Sequence, residues 1–141
     1  FGIPGVHNQE LYRGVSGSGL THVLARHEQG AGFMADGYAR ASGKPGLAYV
    51  ITGPGICSIM TPMGQSYSDS IPLLVISTCL DNTESRFGQL HQMLDQEGAA
   101  RAVCDWSETA ISIAAAYGLL ERAFDEFASK RPRPKHIQVS I

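Results

Sequence analysis

Charge is scarce in this chain. Asp, Glu, Lys and Arg make up 17% of the residues and the formal net charge is -2, where an average domain carries about 25% charged residues. A nucleic-acid partner needs a basic face. The one basic cluster, Arg131, Arg133 and Lys135, is spaced by prolines in what reads as a turn, so nucleic acid is excluded as the main partner. Cysteine is thin as well. Cys57, Cys79 and Cys104 are odd in number and form no Cys-x-x-Cys pair, which excludes a disulfide framework. They read as reduced, buried small hydrophobes and point to a cytoplasmic home. Long apolar runs are missing: Leu73 to Ile76 is far too short to span a bilayer, and no charged-then-apolar leader is visible, so no membrane partner is expected. Sharp motifs are lacking too. Thr52-Gly53-Pro54-Gly55 has neither the lysine of a P-loop nor the third glycine of a dinucleotide fingerprint. No Gly-x-Ser-x-Gly elbow occurs, and no His and Cys spacing suggests a metal site, so no metal ligand is assigned.

What is present is strand and helix in alternation, within 141 residues that fit one domain with a single core. Phe1 to Pro4 reads as the end of a strand, with an upstream part expected. Asn8 is placed to cap a short helix carrying Leu11, Tyr12 and Val15. His22 to Ala25 reads as a strand, Glu28 to Ala41 as a helix and Leu47 to Ile51 as an almost wholly apolar strand, as in a sheet covered on both faces. A helix from Thr52-Gly53-Pro54-Gly55 to Asp69-Ser70 contains an awkward Pro62. Ile71 to Ser77 is a further buried strand. From Thr78 to about Glu97 the periodicity disappears, with Asp81, Asn82, Ser85, Gly88 and Gln89 interleaved with Leu90 to Met93; so long a connection is more often functional than idle. Residues 98 to 111 suggest a short helix and then a strand near Thr109 to Ile111. Ile113 to Phe127 gives a clear amphipathic helix. In the last strand Ile137, Val139 and Ile141 alternate with His136, Gln138 and Ser140, giving one apolar and one polar face.

The stretch from Thr21 to Gly55 organises the rest. Glu28 falls where a strand of a parallel sheet hands over to its helix, in the crevice where open α/β sheets bind ligands. Ala31, Met34, Ala35, Tyr38 and Ala39 share one helical face, while Gln29, Asp36 and Arg40 form a polar stripe opposite. Gly30, Gly32 and Gly37, each costing a helix about 1 kcal/mol against alanine, are expected to admit close neighbours. By spacing alone Glu28 is as readily an acid placed to suit the helix dipole as a functional group.

Five blocks change that weighing. Phe1-Gly2-Ile3-Pro4-Gly5, Arg26-His27-Glu28-Gln29-Gly30-Ala31, Asp36-Gly37-Tyr38-Ala39-Arg40-Ala41, Thr52-Gly53-Pro54-Gly55 and Tyr67-Ser68-Asp69-Ser70-Ile71-Pro72 resemble, in order and spacing, one known domain. It is the N-terminal, pyrimidine-binding domain of thiamine diphosphate enzymes of the acetolactate synthase superfamily. Within that superfamily Gly5-Val6-His7, Gly32-Phe33-Met34-Ala35-Asp36 and Leu90-His91-Gln92-Met93-Leu94-Asp95-Gln96 look most like 2-oxo acid decarboxylases acting on 5-guanidino-2-oxopentanoate.

The resemblance implies a three-layer α/β/α domain with a mainly parallel sheet, thiamine diphosphate as cofactor, and Glu28 as the catalytic residue that hydrogen-bonds N1′ of the aminopyrimidine. Thr52, Pro54 and Ser58 would line the pyrimidine pocket, although Ile56-Cys57-Ser58 replaces the family's commoner Ala-Thr-Asn. Pro4, Gly5, Val6 and His7 would border a 2-oxo acid substrate, with His91 and Gln92 approaching on the long loop; as plain residues, both histidines read equally well as exposed loop side chains. The Gly-Asp-Gly motif that holds Mg2+ and the diphosphate is not in these residues. Residues 1–141 are therefore expected to be the pyrimidine-binding part, lacking its first helix and the central and diphosphate-binding domains, or one subunit of a split enzyme. It would be inactive alone and completed in a homodimer, homotetramer or complementary subunit. Rival expectations are an acetolactate synthase-like carboligase and a non-catalytic assembly module that keeps the fold.

Overall fold

The computed structural model describes residues 1–80 and 88–141; Asp81, Asn82 and Ser85 of the long connection lie outside them. Its regular elements are α1 (Gln9–Val15), α2 (Glu28–Ser42), β1 (Gly46–Val50), α3 (Pro54–Asp69), β2 (Leu73–Cys79), α4 (Gln96–Arg101), β3 (Trp106–Ala110), α5 (Ile113–Ser129) and β4 (Lys135–Ser140). The four strands form an all-parallel sheet in the order β1-β2-β4-β3. Helices cover both faces, the expected three-layer α/β/α arrangement. On one face Ala35, Ile56, Ile59, Met63, Ala100 and Cys104 close over Ala48, Val50, Leu73 and Val75. On the other Ala123 of α5 packs on Leu74, Trp106, Ala110 and Ile137. Ile56, Ile59 and Met63 are fully buried, each worth roughly 2 kcal/mol over the exposed state.

The chain start extends this sheet by single residues. Gly2 bridges Tyr49 on one side and Leu24 on the other, so His22 to Ala25 is one bridge rather than the expected strand. Pairing cannot continue because Pro4 has no N–H to offer, and the Ile3 carbonyl is taken instead by Asn8 Nδ2 at 3.2 Å. Asn8 does precede α1, yet its side chain does not cap it. Fully buried, it folds back and accepts the Gly5 N–H at 2.6 Å.

Helix α2 is rotated relative to its sequence reading. Met34 and Tyr38 are exposed, whereas Asp36 of the polar stripe is 4% exposed. Its carboxylate takes Arg40 Nε at 2.7 Å and Ser66 Oγ at 2.7 Å, and Arg40 also reaches Asp69 at 2.6 Å. This polar seam joins α2 to α3. Only one of the three helix glycines serves close packing. A Cβ on Gly32 would stand 2.4 Å from Pro62 Cγ, while Gly30 and Gly37 have nothing within 4 Å. Pro62 therefore sits inside α3 as the knob that fills the Gly32 hollow. Cys57 is exposed, unlike buried Cys79 and Cys104. Lys135 leaves the expected basic turn and is buried, paired with Asp105 at 3.0 Å and Glu126 at 2.9 Å.

The polar face of β4 is buried too. His136 is fully enclosed between Ser77 Oγ at 2.9 Å and Ser107 Oγ at 2.7 Å. Burial pushes its pKa from an ordinary 6.5 down to about 3. The unfolded chain takes up this proton near pH 6.5 and the folded chain only near pH 3, so protons favour unfolding across the window and stability falls as pH falls through it. His136→Gln is expected to flatten the pH dependence of the urea midpoint between about pH 6.5 and about 4.5, above the range where carboxylates dominate. An unchanged slope would contradict a neutral buried imidazole.

Candidate functional site at the carboxyl end of β1

Strand β1 runs out into Ile51, Thr52 and Gly53, and the chain turns there into α3 with Pro54 at its first position, where a missing N–H costs nothing. Gly53 has φ 64°, a left-handed backbone suited to glycine. A Cβ on it would lie 2.0 Å from the carbonyl oxygen of His91, so the long loop rests directly on the turn. Gly5 rests there similarly: its Cβ would stand 2.3 Å from Ile51 Cδ1. Two loops far apart in sequence thus close over the end of β1 because glycine leaves them room.

Glu28 is the first residue of α2. His27 caps that helix, its Nδ1 accepting the Gln29 N–H at 3.2 Å. The Glu28 side chain is half-buried, and a Cβ on Gly55 would lie 3.6 Å from its Cγ, so the first turn of α3 forms the wall beside the carboxylate. No hydrogen bond or ion pair engages that carboxylate among the described residues. A half-buried acid without a protein partner, among helix-start amides, is a group left available to a ligand donor.

The histidines, expected either to border substrate or to be exposed loop residues, are half-buried and meet edge to face, with ring centroids 5.5 Å apart at 83°. The Nδ1 atoms of His7 and His91 are buried with no hydrogen-bond partner among the described residues. Burial, and then His91 itself, lower the His7 pKa below its ordinary value. His91 holds φ 63°, a costly conformation for a residue with a side chain. Gln92 lines a polar cavity of about 270 Å³ with Thr52, Asp95, Gln96 and Thr109. Pro4, Val6 and Pro54 are exposed, and Ser58, one turn into α3, is half-buried without a side-chain hydrogen bond among the described residues. The structure therefore brings Gly5, His7, Thr52, His91 and Gln92 to one strand end, with Glu28 beside the first turn of α3, and leaves Ser58 without a side-chain hydrogen bond among the described residues.

This geometry has relatives. Residues 1–99 match the sequence model described as "Thiamine pyrophosphate enzyme, N-terminal TPP binding domain". The chain belongs to that family. The Pseudomonas aeruginosa protein named "Probable 2-ketoarginine decarboxylase AruI" is 52% identical over 143 residues, covering 100% of this chain and 26% of that protein. The mitochondrial acetolactate synthase catalytic subunit of Saccharomyces cerevisiae is 37% identical over 95% of this chain and 20% of its own length. The acetolactate synthase isozyme 3 large subunit of Escherichia coli is 37% identical over 95% of this chain and 23% of its own. The thiamine pyrophosphate-binding domain described here thus spans about a quarter or less of these relatives.

A residue that sequence reasoning passed over is the best-bonded one in the site. Gln96 is 7% exposed and touches Thr52, Gly53, Ser77, Thr78 and Gln138. Its partners lie 18 to 44 positions away, so no local spacing could signal it. Gly53→Ala in the complete enzyme is expected to cost about 1–3 kcal/mol and to speed hydrogen exchange across residues 88–93, leaving the strands protected. Unaltered exchange in that loop would show that it does not depend on the turn.

Proposed function

We propose that this domain is the pyrimidine-binding part of a thiamine diphosphate-dependent 2-oxo acid decarboxylase in which Glu28 hydrogen-bonds N1′ of the aminopyrimidine. The observation that carries it is the unpaired, half-buried Glu28 carboxylate at the start of α2, facing the glycine-walled first turn of α3. These residues fit an aromatic ring with a basic nitrogen. Gly55 lets the first turn of α3 pack beside the acid, Gly53 lets the His91 loop close on the same turn, and the Nδ1 atoms of His7 and His91 have no partner among the described residues. Bound thiamine diphosphate supplies the carbon nucleophile and electron sink for decarboxylation. Glu28 holds and exchanges a proton at N1′, which requires a carboxyl group and not merely a hydrogen-bonding one. Thr52, Pro54 and Ser58 form the pyrimidine wall. Pro4, Gly5, Val6, His7, His91 and Gln92 border the 2-oxo acid, with the His7 pKa lowered by burial and then by His91. In this reading the cofactor's diphosphate and Mg2+ belong to a domain outside this chain. The site is then completed where protomers of a cytoplasmic homo-oligomer or a complementary subunit meet.

The substrate reading rests on the 52% identity to a protein whose name specifies 2-ketoarginine decarboxylase, against 37% to acetolactate synthases. Carboligation of two 2-oxo acids is the second reading, favoured by the latter relatives, and carbon dioxide release measured against acetolactate formation separates the two. No helix among the described residues is long and apolar enough to cross a membrane.

In the complete enzyme Glu28→Gln is expected to lower turnover by about a hundredfold or more, since positioned proton transfer is typically worth 10²–10⁴, with the circular dichroism spectrum unchanged. Turnover at the wild-type level would remove Glu28 from the mechanism.

A further inference from the structure

The polar side of β4 and the loop leading into α4 converge on one side chain. Gln96 opens α4 just after Asp95, which caps the helix by accepting the Gly98 N–H at 2.7 Å. The Gln96 amide oxygen accepts Thr52 Oγ1 at 2.8 Å and the Gly53 N–H at 2.7 Å. Its amide nitrogen donates to the Thr78 carbonyl at 2.9 Å and to Gln138 Oε1 at 2.8 Å, with Ser77 Oγ at 3.3 Å. The orientation is fixed by chemistry. A backbone N–H can only donate and a backbone carbonyl can only accept, so the oxygen must face Gly53 and the nitrogen must face Thr78. Two lone pairs and two hydrogens are all the amide owns, and all are used inside the protein.

Resting on the functional reading above, we propose that Gln96 is the positioning residue of the cofactor turn: from beneath, it fixes Thr52 and Gly53 so that α3 begins against Glu28. Gly53 combines φ 64° and ψ -111°, a conformation that needs an anchor. The Gln96 oxygen supplies it by holding the Gly53 N–H inward. The anchor is itself braced, because Gln138 Nε2 donates to Thr109 Oγ1 at 2.7 Å and Thr109 donates on to Glu97 Oε2 at 2.6 Å. The turn is thereby tied to β2, β3, β4 and α4 together. Two consequences follow. The Thr52 hydroxyl, 2% exposed and committed to Gln96, is not a ligand donor, and Thr52 serves the pyrimidine pocket through its backbone. Gln96 acts through the turn and does not touch substrate.

The test uses the complete enzyme, with thiamine diphosphate affinity measured by equilibrium dialysis of the apoprotein and hydrogen exchange followed over residues 50–57. Gln96→Met removes the acceptor while keeping the length of the side chain. It is expected to weaken cofactor binding about tenfold, the worth of one or two hydrogen bonds left open, and to speed exchange at the Gly53 amide, with KM for the 2-oxo acid unchanged at saturating cofactor. Affinity within about twofold of wild type overturns the proposal, as does unchanged affinity with a raised substrate KM, which would place Gln96 against substrate. Should Gln96→Met not fold, Thr52→Val decides: cofactor binding weakened about threefold supports the anchor and an unaltered constant rejects it. A wild-type enzyme that binds no thiamine diphosphate overturns the functional reading and this one with it, whereas wild-type binding alongside an unchanged Gln96→Met constant overturns this one alone.

Discussion

At the end of β1 the chain has to turn within two residues, beneath the carbonyl of His91, so that a helix can begin beside the Glu28 carboxylate. Only glycine fits that position, because φ 64° and a neighbour 2.0 Å from any Cβ both forbid a side chain. The rest of the site is arranged around this turn. Gly5 lets the first loop lie on Ile51, His91 lies on Gly53, and Gly55 lets the first turn of α3 pack on Ile51 and against Glu28. A parallel sheet brings every strand's carboxyl end to the same edge, and here glycine decides which loops can close on that edge.

Beneath the turn lies a buried polar layer. Gln96, Gln138, Ser77, His136 and Ser107 join the ends of β2, β4 and β3 through hydrogen bonds of 2.7 to 3.3 Å. Burying so many polar groups is costly unless each is paired, and a fully paired network rewards one geometry over its neighbours. An apolar core tolerates small slides between α4 and the sheet; this layer does not. That rigidity fixes where the turn at Thr52 and Gly53 sits.

The sequence made the architecture legible where periodicity is strong. Helices at Glu28, Thr52-Gly53-Pro54-Gly55 and Ile113 lie where the spacing places them, because tertiary packing there reinforces the local pattern. It misled where a polar residue has a distant partner. Asp36 and His136 read as solvent-facing in their periods, yet Ser66 and Arg40 bury the first while Ser77 and Ser107 enclose the second. Asn8 was legible as a helix-start residue but not as the brace of the Pro4–His7 loop. Within the site, Glu28 stood out through the block of residues around it, while Gln96 did not, since its meaning comes from partners on three other segments. The meeting of His7 with His91 was equally invisible, because 84 positions separate them in the chain.

These features meet at one contact, an acid without a protein partner among the described residues set against the glycine-walled first turn of α3. Family membership makes this a thiamine pyrophosphate-binding domain. The most direct test is a crystal structure of the complete, cofactor-loaded enzyme. The account predicts a Glu28 carboxylate oxygen within about 2.6–3.2 Å of N1′, with the pyrimidine against Gly53 and Gly55. A ring seated elsewhere, with Glu28 turned to solvent, would contradict it.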